Sequence, residues 1–411
     1  MLANILDGIM NAISIGSLLA NLMGVVLGII FGALPGLTAA MGVALLIPLT
    51  FGMPAVEAFS ALLGMYVGAI YGGCITAILV GTPGTVSAAA TMLEGPALTA
   101  RGESRRALDM ATWASFIGGT LSALTLVSVA PLLARAAMTF GAPEYFAVAV
   151  FGLTVVASLS SGNALKGLIA ALAGLLLATI GIDPVTGDMR NTFDNPNLFN
   201  GLSLVPVLVG LFAVSQVLVT IEDVARGVSL KEGAVSKRGL SLRDLTSNTV
   251  NFLRSSLFGT LIGIIPATGV SAASFLAYSE AKRFSRTPEM YGKGCLEGIA
   301  ATESSNNAVC GGALIPLLTL GVPGDIITAI MLGALMIQGL TPGPLLFVGH
   351  PVTVYGIFAA FIIANLLMLA VGLLAVRGAG RIIAIPGSVL MPIVITLCVV
   401  GGYAVNNSTF D

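Results

Sequence analysis

The chain has 411 residues, of which 56% are hydrophobic and only 9% charged, against about 25% charged in an ordinary soluble domain. With a mean hydropathy of +1.00, it lacks the polar surface needed to solvate a globule in water. A net charge of −1 gives no electrostatic footprint for nucleic acid.

A membrane-crossing helix takes about 20 mostly apolar residues. On that measure, crossings are expected over 5–23, 58–80, 107–134, 143–160, 164–182, 201–222, 296–320, 350–376 and 383–405. The first lacks a basic leader and a convincing cleavage site, so it reads as a retained membrane helix rather than a signal peptide. Four stretches carry a turn at one end or in the middle: 26–52, 84–100, 257–281 and 323–345. They read as re-entrant or broken-helix hairpins, with a crossing plus a half helix as the alternative for 26–52.

These hairpins repeat. A slide of 231 residues superimposes Gly28, Gly32 and Pro35 on Gly259, Gly263 and Pro266, and one of 240 superimposes Gly81, Pro83 and Gly84 on Gly321, Pro323 and Gly324. Paired interruptions at matching places in two halves point to the binding site of a secondary transporter. Lys and Arg in short loops favour the cytoplasm. They gather over 101–106, 226–243 and 282–293, while the outside candidates 51–57, 183–200, 346–349 and 406–411 hold only Arg190. Arg135, near the outer end of its helix, breaks the pattern. Between its two turns, copy one has no basic residue over 51–59, whereas copy two has four over 282–293; after the second turn the bias swaps. Equivalent loops then face opposite sides.

The expected fold is therefore an all-α polytopic membrane protein with two inverted-topology repeats, 1–200 and 201–411, and a cytoplasmic linker at about 222–251. Within it, Val235-Ser236-Lys237-Arg238 reads as a solvated loop. Copy two reaches Asp411 before any counterpart of the 164–182 helix, so a C-terminal helix is expected to be missing.

Broken helices leave backbone groups without partners, which lipid tolerates only where protein, water or a ligand replaces them. Helix N-termini would then face an anion and loose carbonyls a cation. Candidate substrate-binding residues at the turns are Pro35, Gly36, Thr38, Thr82, Gly84, Thr85, Thr268, Gly269, Ser271 and Gly324. Candidate cation ligands are Glu303, Ser304, Asn306, Asn307 and Asp325. The first four belong to the polar run Thr302 to Asn307, which leaves its helix no dry face and so should line a cavity. Plainer readings stand beside these. Thr38 and Thr85 suit helix caps, and Asp325 suits an N-cap as well as an ion. Glu303 and Asp325 are nonetheless costly at membrane depth, which makes function the default reading for both.

Glu57 and Glu94 read as solvated near an interface, and Tyr66, Tyr71 and Trp113 as packing or anchoring residues. The four cysteines have no C-x-x-C spacing and read as inert packing groups. There is no H-E-x-x-H, G-x-S-x-G or P-loop lysine, so no enzyme and no ATP site is expected, and an ion gradient should drive transport.

At these motifs the chain resembles the large permease subunit of the tripartite tricarboxylate transporters. The residues that carry the resemblance are Gly32-Ala-Leu-Pro35-Gly36-Leu-Thr38, Tyr71-Gly72-Gly73, Pro83-Gly84, Gly263-Ile-Ile-Pro266-Ala-Thr268-Gly269, Glu303-Ser304 with Asn306-Asn307, Gly321-Val-Pro323-Gly324 and Pro342-Gly343-Pro344. The resemblance implies uptake of citrate-like carboxylates across a bacterial inner membrane, coupled to Na⁺ or H⁺, with no cofactor beyond that ion. It also implies two partners, a small membrane subunit and a periplasmic solute-binding protein. Family members usually run beyond the Asn406–Asp411 segment. The rival reading is a non-transporting membrane scaffold with a degenerate transporter fold; an elevator-like slide is the preferred motion over rocking.

Overall fold

The computed structural model describes residues 2–34, 36–144, 146–148, 150–151, 164–183, 186–225, 235–236, 239–266, 270–383, 387–406, 408 and 410. Among them the first half comprises α1 (Leu2–Ala12), α2 (Ile15–Ala33), α3 (Ala39–Thr50), α4 (Ala55–Leu79), a 3₁₀ segment (Val86–Leu93), α5 (Gly95–Ala100), α6 (Ser104–Ala137) and α7 (Ala164–Ala178). There follow α8 (Leu204–Leu208), a π-helical stretch (Val209–Val214), α9 (Ser215–Ala225), α10 (Leu242–Ser247), α11 (Thr249–Ile264), α12 (Val270–Phe284) and α13 (Leu296–Leu320). The last helices are α14 (Ile326–Ile337), α15 (Pro344–Gly349), α16 (Pro351–Ile383) and α17 (Gly387–Asn406). A two-stranded antiparallel ribbon pairs Gly181 with Arg190 and Ile182 with Met189.

The first expected crossing is not one helix. The chain breaks at Ser14, whose hydroxyl accepts from the Ser17 N–H and caps α2. What read as 5–23 and 26–52 is thus α1, a 19-residue α2 and a 12-residue α3, the crossing-plus-half-helix form of the second stretch. The 84–100 stretch also differs in kind, because its first part is an eight-residue 3₁₀ segment. Such segments seldom exceed three or four residues. The crossing expected over 143–160 lies largely outside the described residues. Among the described residues, four helices are long and apolar enough to cross a membrane: α2, α4, α6 and the Pro351–Ala379 part of α16.

The two central helices, α4 and α13, each have 25 residues and are buried along almost their whole length. A helix buried on every side needs an apolar or small surface all round. Each meets its neighbour through glycines, as membrane helices do when small residues let backbones approach. On α2 against α4, a Cβ at Gly32 would stand 2.1 Å from the Ala69 carbonyl oxygen, and one at Gly72 2.5 Å from that of Ile29. On α11 against α13, a Cβ at Gly263 would stand 2.7 Å from the Val309 oxygen, and one at Gly312 2.5 Å from that of Thr260. Both central helices end at a glycine with φ +71°, Gly81 and Gly321, a conformation that favours glycine.

Contacts between α4 and α13 run antiparallel. Tyr66 lies against Cys310, and the Ile70 carbonyl accepts from the Asn306 amide at 3.4 Å. With the offset of 240 that aligns Gly81 on Gly321, Tyr66 answers Asn306 and Ile70 answers Cys310. The two contacts exchange into one another.

At the basic end of the bundle, Val235 and Ser236 are docked rather than solvated. Ser236 donates its N–H to the Ser104 hydroxyl at 2.8 Å and accepts from the Arg105 N–H at 3.2 Å. It thereby caps the start of α6, where Glu103 makes no side-chain cap bond. Lys237 and Arg238 lie outside the described residues. Nearby, Arg106 forks onto both oxygens of Asp244 at 2.7 and 3.1 Å. That hydrogen-bonded pairing holds the Asp244 carboxyl down at about 2, below the usual ~4. Its folded value is depressed, so its stabilising contribution is present above pH ~4 and is lost as the pH falls toward 2. Asp244→Asn is therefore expected to speed hydrogen exchange in α10 at neutral pH. The difference from the unsubstituted protein should narrow between pH 4 and 2, and an equal difference at both ends would disprove the role.

Candidate functional site

The first hairpin folds back on α4. Gly84 donates its N–H to the Gly73 carbonyl at 3.2 Å, and Thr82 donates to that of Thr76 at 3.4 Å. Space at Gly84 is absent: a Cβ there would meet the Gly32 oxygen at 1.9 Å and the Thr76 hydroxyl at 2.9 Å. Thr85 is pressed against Gly73 and shares a hydrogen bond of 2.9 Å with Ser87. Thr38 is a helix cap, its hydroxyl accepting from the Met41 N–H at 3.1 Å. Gly36 takes φ +89° in the turn before it. Pro35, Thr268 and Gly269 lie outside the described residues, and Ser271 opens α12 half-buried.

The second hairpin closes on α13 and α4 together. A Cβ at Gly324 would meet Ala313 at 2.6 Å and the Gly263 oxygen at 2.8 Å. Asp325 forms a capping box with Thr328 and so fulfils the N-cap reading. Its Oδ1 accepts from the Thr328 N–H and hydroxyl, both at 2.7 Å, and its Oδ2 accepts from the Tyr66 hydroxyl at 2.5 Å. Both oxygens are thus engaged. Tyr66, expected to pack or anchor, does more: it ties the tip of the second half to the central helix of the first.

Glu303 has a different setting. It is fully buried, and its carboxylate accepts hydrogen bonds from the hydroxyls of Thr91, on the 3₁₀ segment, and Ser115, on α6, the latter at 3.3 Å. The Thr302 hydroxyl is 3.0 Å from that of Thr91. Asn306 also bears on the carboxylate. Among the described residues, neither Glu303 nor Asp325 has a Lys, Arg or His within ion-pair distance. A buried carboxylate without a counter-charge costs several kcal/mol. Beside it in sequence, the side-chain oxygens of Ser304, Ser305, Asn306 and Asn307 and the Asn307 amide nitrogen have no partner among the described residues. Each such group left dry costs about 1–3 kcal/mol.

A carboxylate with amide and hydroxyl oxygens on consecutive turns of one helix is a hard-oxygen donor set, suited to an alkali cation. The cation-ligand candidates do not form one cluster. Asp325 stands at Cys310, seven residues from Glu303 and so about 10 Å along the helix axis. The grouping that forms is Glu303 with Asn306 and Asn307 on its own helix and Thr91 and Ser115 from the first half. Thr91, Ser115 and Tyr66 carried no sequence signal, because each stands alone in an apolar or small-residue context.

Glu94 corrects the sequence reading most plainly. It is not solvated but fully buried. Its Oε1 accepts from the Gly292 N–H at 2.6 Å and the Tyr278 hydroxyl at 2.7 Å; its Oε2 accepts from the N–H groups of Gly294 at 2.8 Å and Cys295 at 2.7 Å. Carboxylates at a chain turn usually face water, and these donors come from α12, which carries Tyr278, and from the loop between α12 and α13, nearly 200 residues downstream. Glu57 is half-buried in the first turn of α4.

The comparisons with known proteins agree with this architecture. The chain is 38% identical over 377 residues to the "Uncharacterized 52.8 kDa protein in TAR-I ttuC' 3'region" of Agrobacterium vitis, covering 92% of this chain and 75% of that protein. It is 39% identical over 153 residues to the "Uncharacterized protein in TAR-II ttuC' 3'region" of the same organism, covering 37% of this chain and 63% of that one. No solved structure matches it. The family described as "Tripartite tricarboxylate transporter TctA family" matches residues 18–411. With buried central helices, four apolar spans among the described residues and that match, this is a multi-pass membrane protein of a transporter family, and the chain belongs to the tripartite tricarboxylate transporter TctA family.

Proposed function

We propose that the chain is the large permease subunit of a binding-protein-dependent symporter that takes up tricarboxylates or related carboxylates across a bacterial inner membrane. A small membrane subunit and a periplasmic solute-binding protein complete it. The observation that carries this reading is Glu303: a buried carboxylate with no counter-charge beside partnerless amide oxygens, at a junction of the two halves. A coupling cation, Na⁺ or H⁺, would neutralise the carboxylate, and Na⁺ would also draw on the Asn306 and Asn307 oxygens. The substrate carboxylate is assigned to the hairpin turns at Gly84, Thr85 and Gly324.

The antiparallel exchange of contacts between α4 and α13 supports an inverted repeat, and with it alternating access about the axis relating the halves. Asp325 serves here as a positioning residue: it caps α14 and holds the Tyr66 hydroxyl, beside Cys310 and away from Glu303 along α13. The test is uptake of labelled citrate into proteoliposomes carrying the chain with its two partner subunits. An inward Na⁺ or proton gradient should raise the initial rate and its collapse should abolish it. Uptake indifferent to both gradients would refute symport, and no uptake under any gradient would favour the scaffold reading.

A further inference from the structure

The Glu94 carboxylate occupies a small anion-binding turn. Gly292 and Gly294 take φ +82° and +91°, which turns their N–H groups, with that of Cys295, toward one point. Successive N–H groups arranged in this way form an anion-binding concavity. With the Tyr278 hydroxyl they supply four donors, two to each carboxylate oxygen. An ionised carboxylate accepts at all four places; a glutamine in its stead would set its own NH₂ against two of them. No cationic side chain among the described residues lies within ion-pair distance of Glu94. The recognition is therefore of a carboxylate group by hydrogen-bond donors, not of a charge by a charge.

A second observation points outward from the turn. A cavity of about 450 Å³ opens beside it, lined among others by Arg101, Gly294 and Cys295. Its three acidic residues already have partners: Glu103 and Asp244 pair with Arg106 at 2.5 and 2.7 Å, and Glu297 accepts from the Ser285 hydroxyl at 2.5 Å. Arg101 has no carboxylate within ion-pair distance among the described residues, and its guanidinium donates to the Gly294 carbonyl at 3.3 Å. A cation with no carboxylate partner among the described residues thus stands at the edge of a carboxylate-shaped turn, at the basic end of the bundle, which faces the cytoplasm by the distribution of Lys and Arg.

We infer that the Gly292–Cys295 turn is a carboxylate subsite at the cytoplasmic mouth, held shut by Glu94 as a tethered ligand that the departing substrate carboxylate displaces. The inference rests on the carboxylate-transport reading above for the identity of the displacing group. Glu94 joins the 3₁₀ segment to α5 and the turn precedes α13, so filling the subsite with a free carboxylate would release the first half from the second at that mouth.

Cys295 is a built-in reporter, being half-buried where Cys74, Cys310 and Cys398 are buried. In the purified full chain, Glu94→Ala should raise the rate of Cys295 alkylation by a maleimide several-fold. Formate at tens of millimolar should return it toward the rate of the unsubstituted protein, and chloride at equal ionic strength should not. An unchanged rate in Glu94→Ala, or no effect of formate, would overturn the subsite. If Glu94→Ala does not fold, Glu94→Gln keeps the volume but opposes its NH₂ to the turn, so labelling should rise there as well; no rise would overturn the proposal. In the unsubstituted chain, citrate should speed labelling, and a flat response would overturn the displacement. The formate experiment needs no transport, so its failure and the failure of the transport reading are told apart.

Discussion

Glu303→Gln should cut gradient-driven carboxylate uptake by more than about tenfold while leaving the chain folded. The side chain is isosteric, and the Thr91 and Ser115 hydroxyls that donate to the carboxylate can rotate to accept from an amide NH₂. What the substitution removes is the charge. A coupling cation held by one formal negative charge and neutral oxygens loses its main attraction, and tenfold corresponds to only 1.4 kcal/mol. Removing an uncompensated buried charge also relieves a desolvation cost of several kcal/mol, so thermal stability without the cation should stay level or rise. The diagnostic pair is therefore lower uptake with an unchanged or higher melting temperature. Uptake near the unsubstituted level would take Glu303 out of the coupling site, and a large loss of stability would make it a structural residue.

Gly84→Ala should do the opposite, damaging the fold before any chemistry. The added Cβ would stand 1.9 Å from the Gly32 carbonyl oxygen, and the atom it meets is backbone, which no side-chain rotation can clear. Overpacking of this kind costs about 1–3 kcal/mol, occasionally more. The strain falls on the seam between α2 and the first hairpin, so Thr85 and the 3₁₀ segment that carries Thr91 should shift with it. Gly174→Ala, where nothing lies within 4 Å, is the matched control. Melting of the purified protein should fall clearly for Gly84→Ala and stay level for Gly174→Ala. Equal melting of the two would show that the hairpin is not seated on α2 as described.

Asp325 and Glu303 show how far a single pattern reaches. Both are acidic residues in apolar surroundings, and sequence placed them together as cation ligands. In the fold they separate: Asp325 stands at Cys310, seven residues along α13 from Glu303, with Thr328, three residues on, and Tyr66, 259 residues before, as its partners. The N-cap alternative was legible from local spacing; the Tyr66 partner was not. Glu94 failed for a related reason. Its neighbours Leu93 and Gly95 suggest an exposed turn, and the four donors that bury it arrive from another half of the chain.

The amino-acid order alone determined that this is an all-α membrane protein, where its long central helices run, and that its two halves carry matching breaks. Those properties follow from composition, from the roughly 20-residue length a bilayer demands and from Gly-Pro chemistry, all of which act within a few turns of chain. Only the tertiary structure decided that Tyr66 and Asp325 meet, that Thr91 and Ser115 converge on Glu303, and that Glu94 is swallowed by a distant turn. Those outcomes depend on which helices approach one another and in what register, and a buried polar group takes whichever partner packing brings within 3 Å, however far away it lies in the chain.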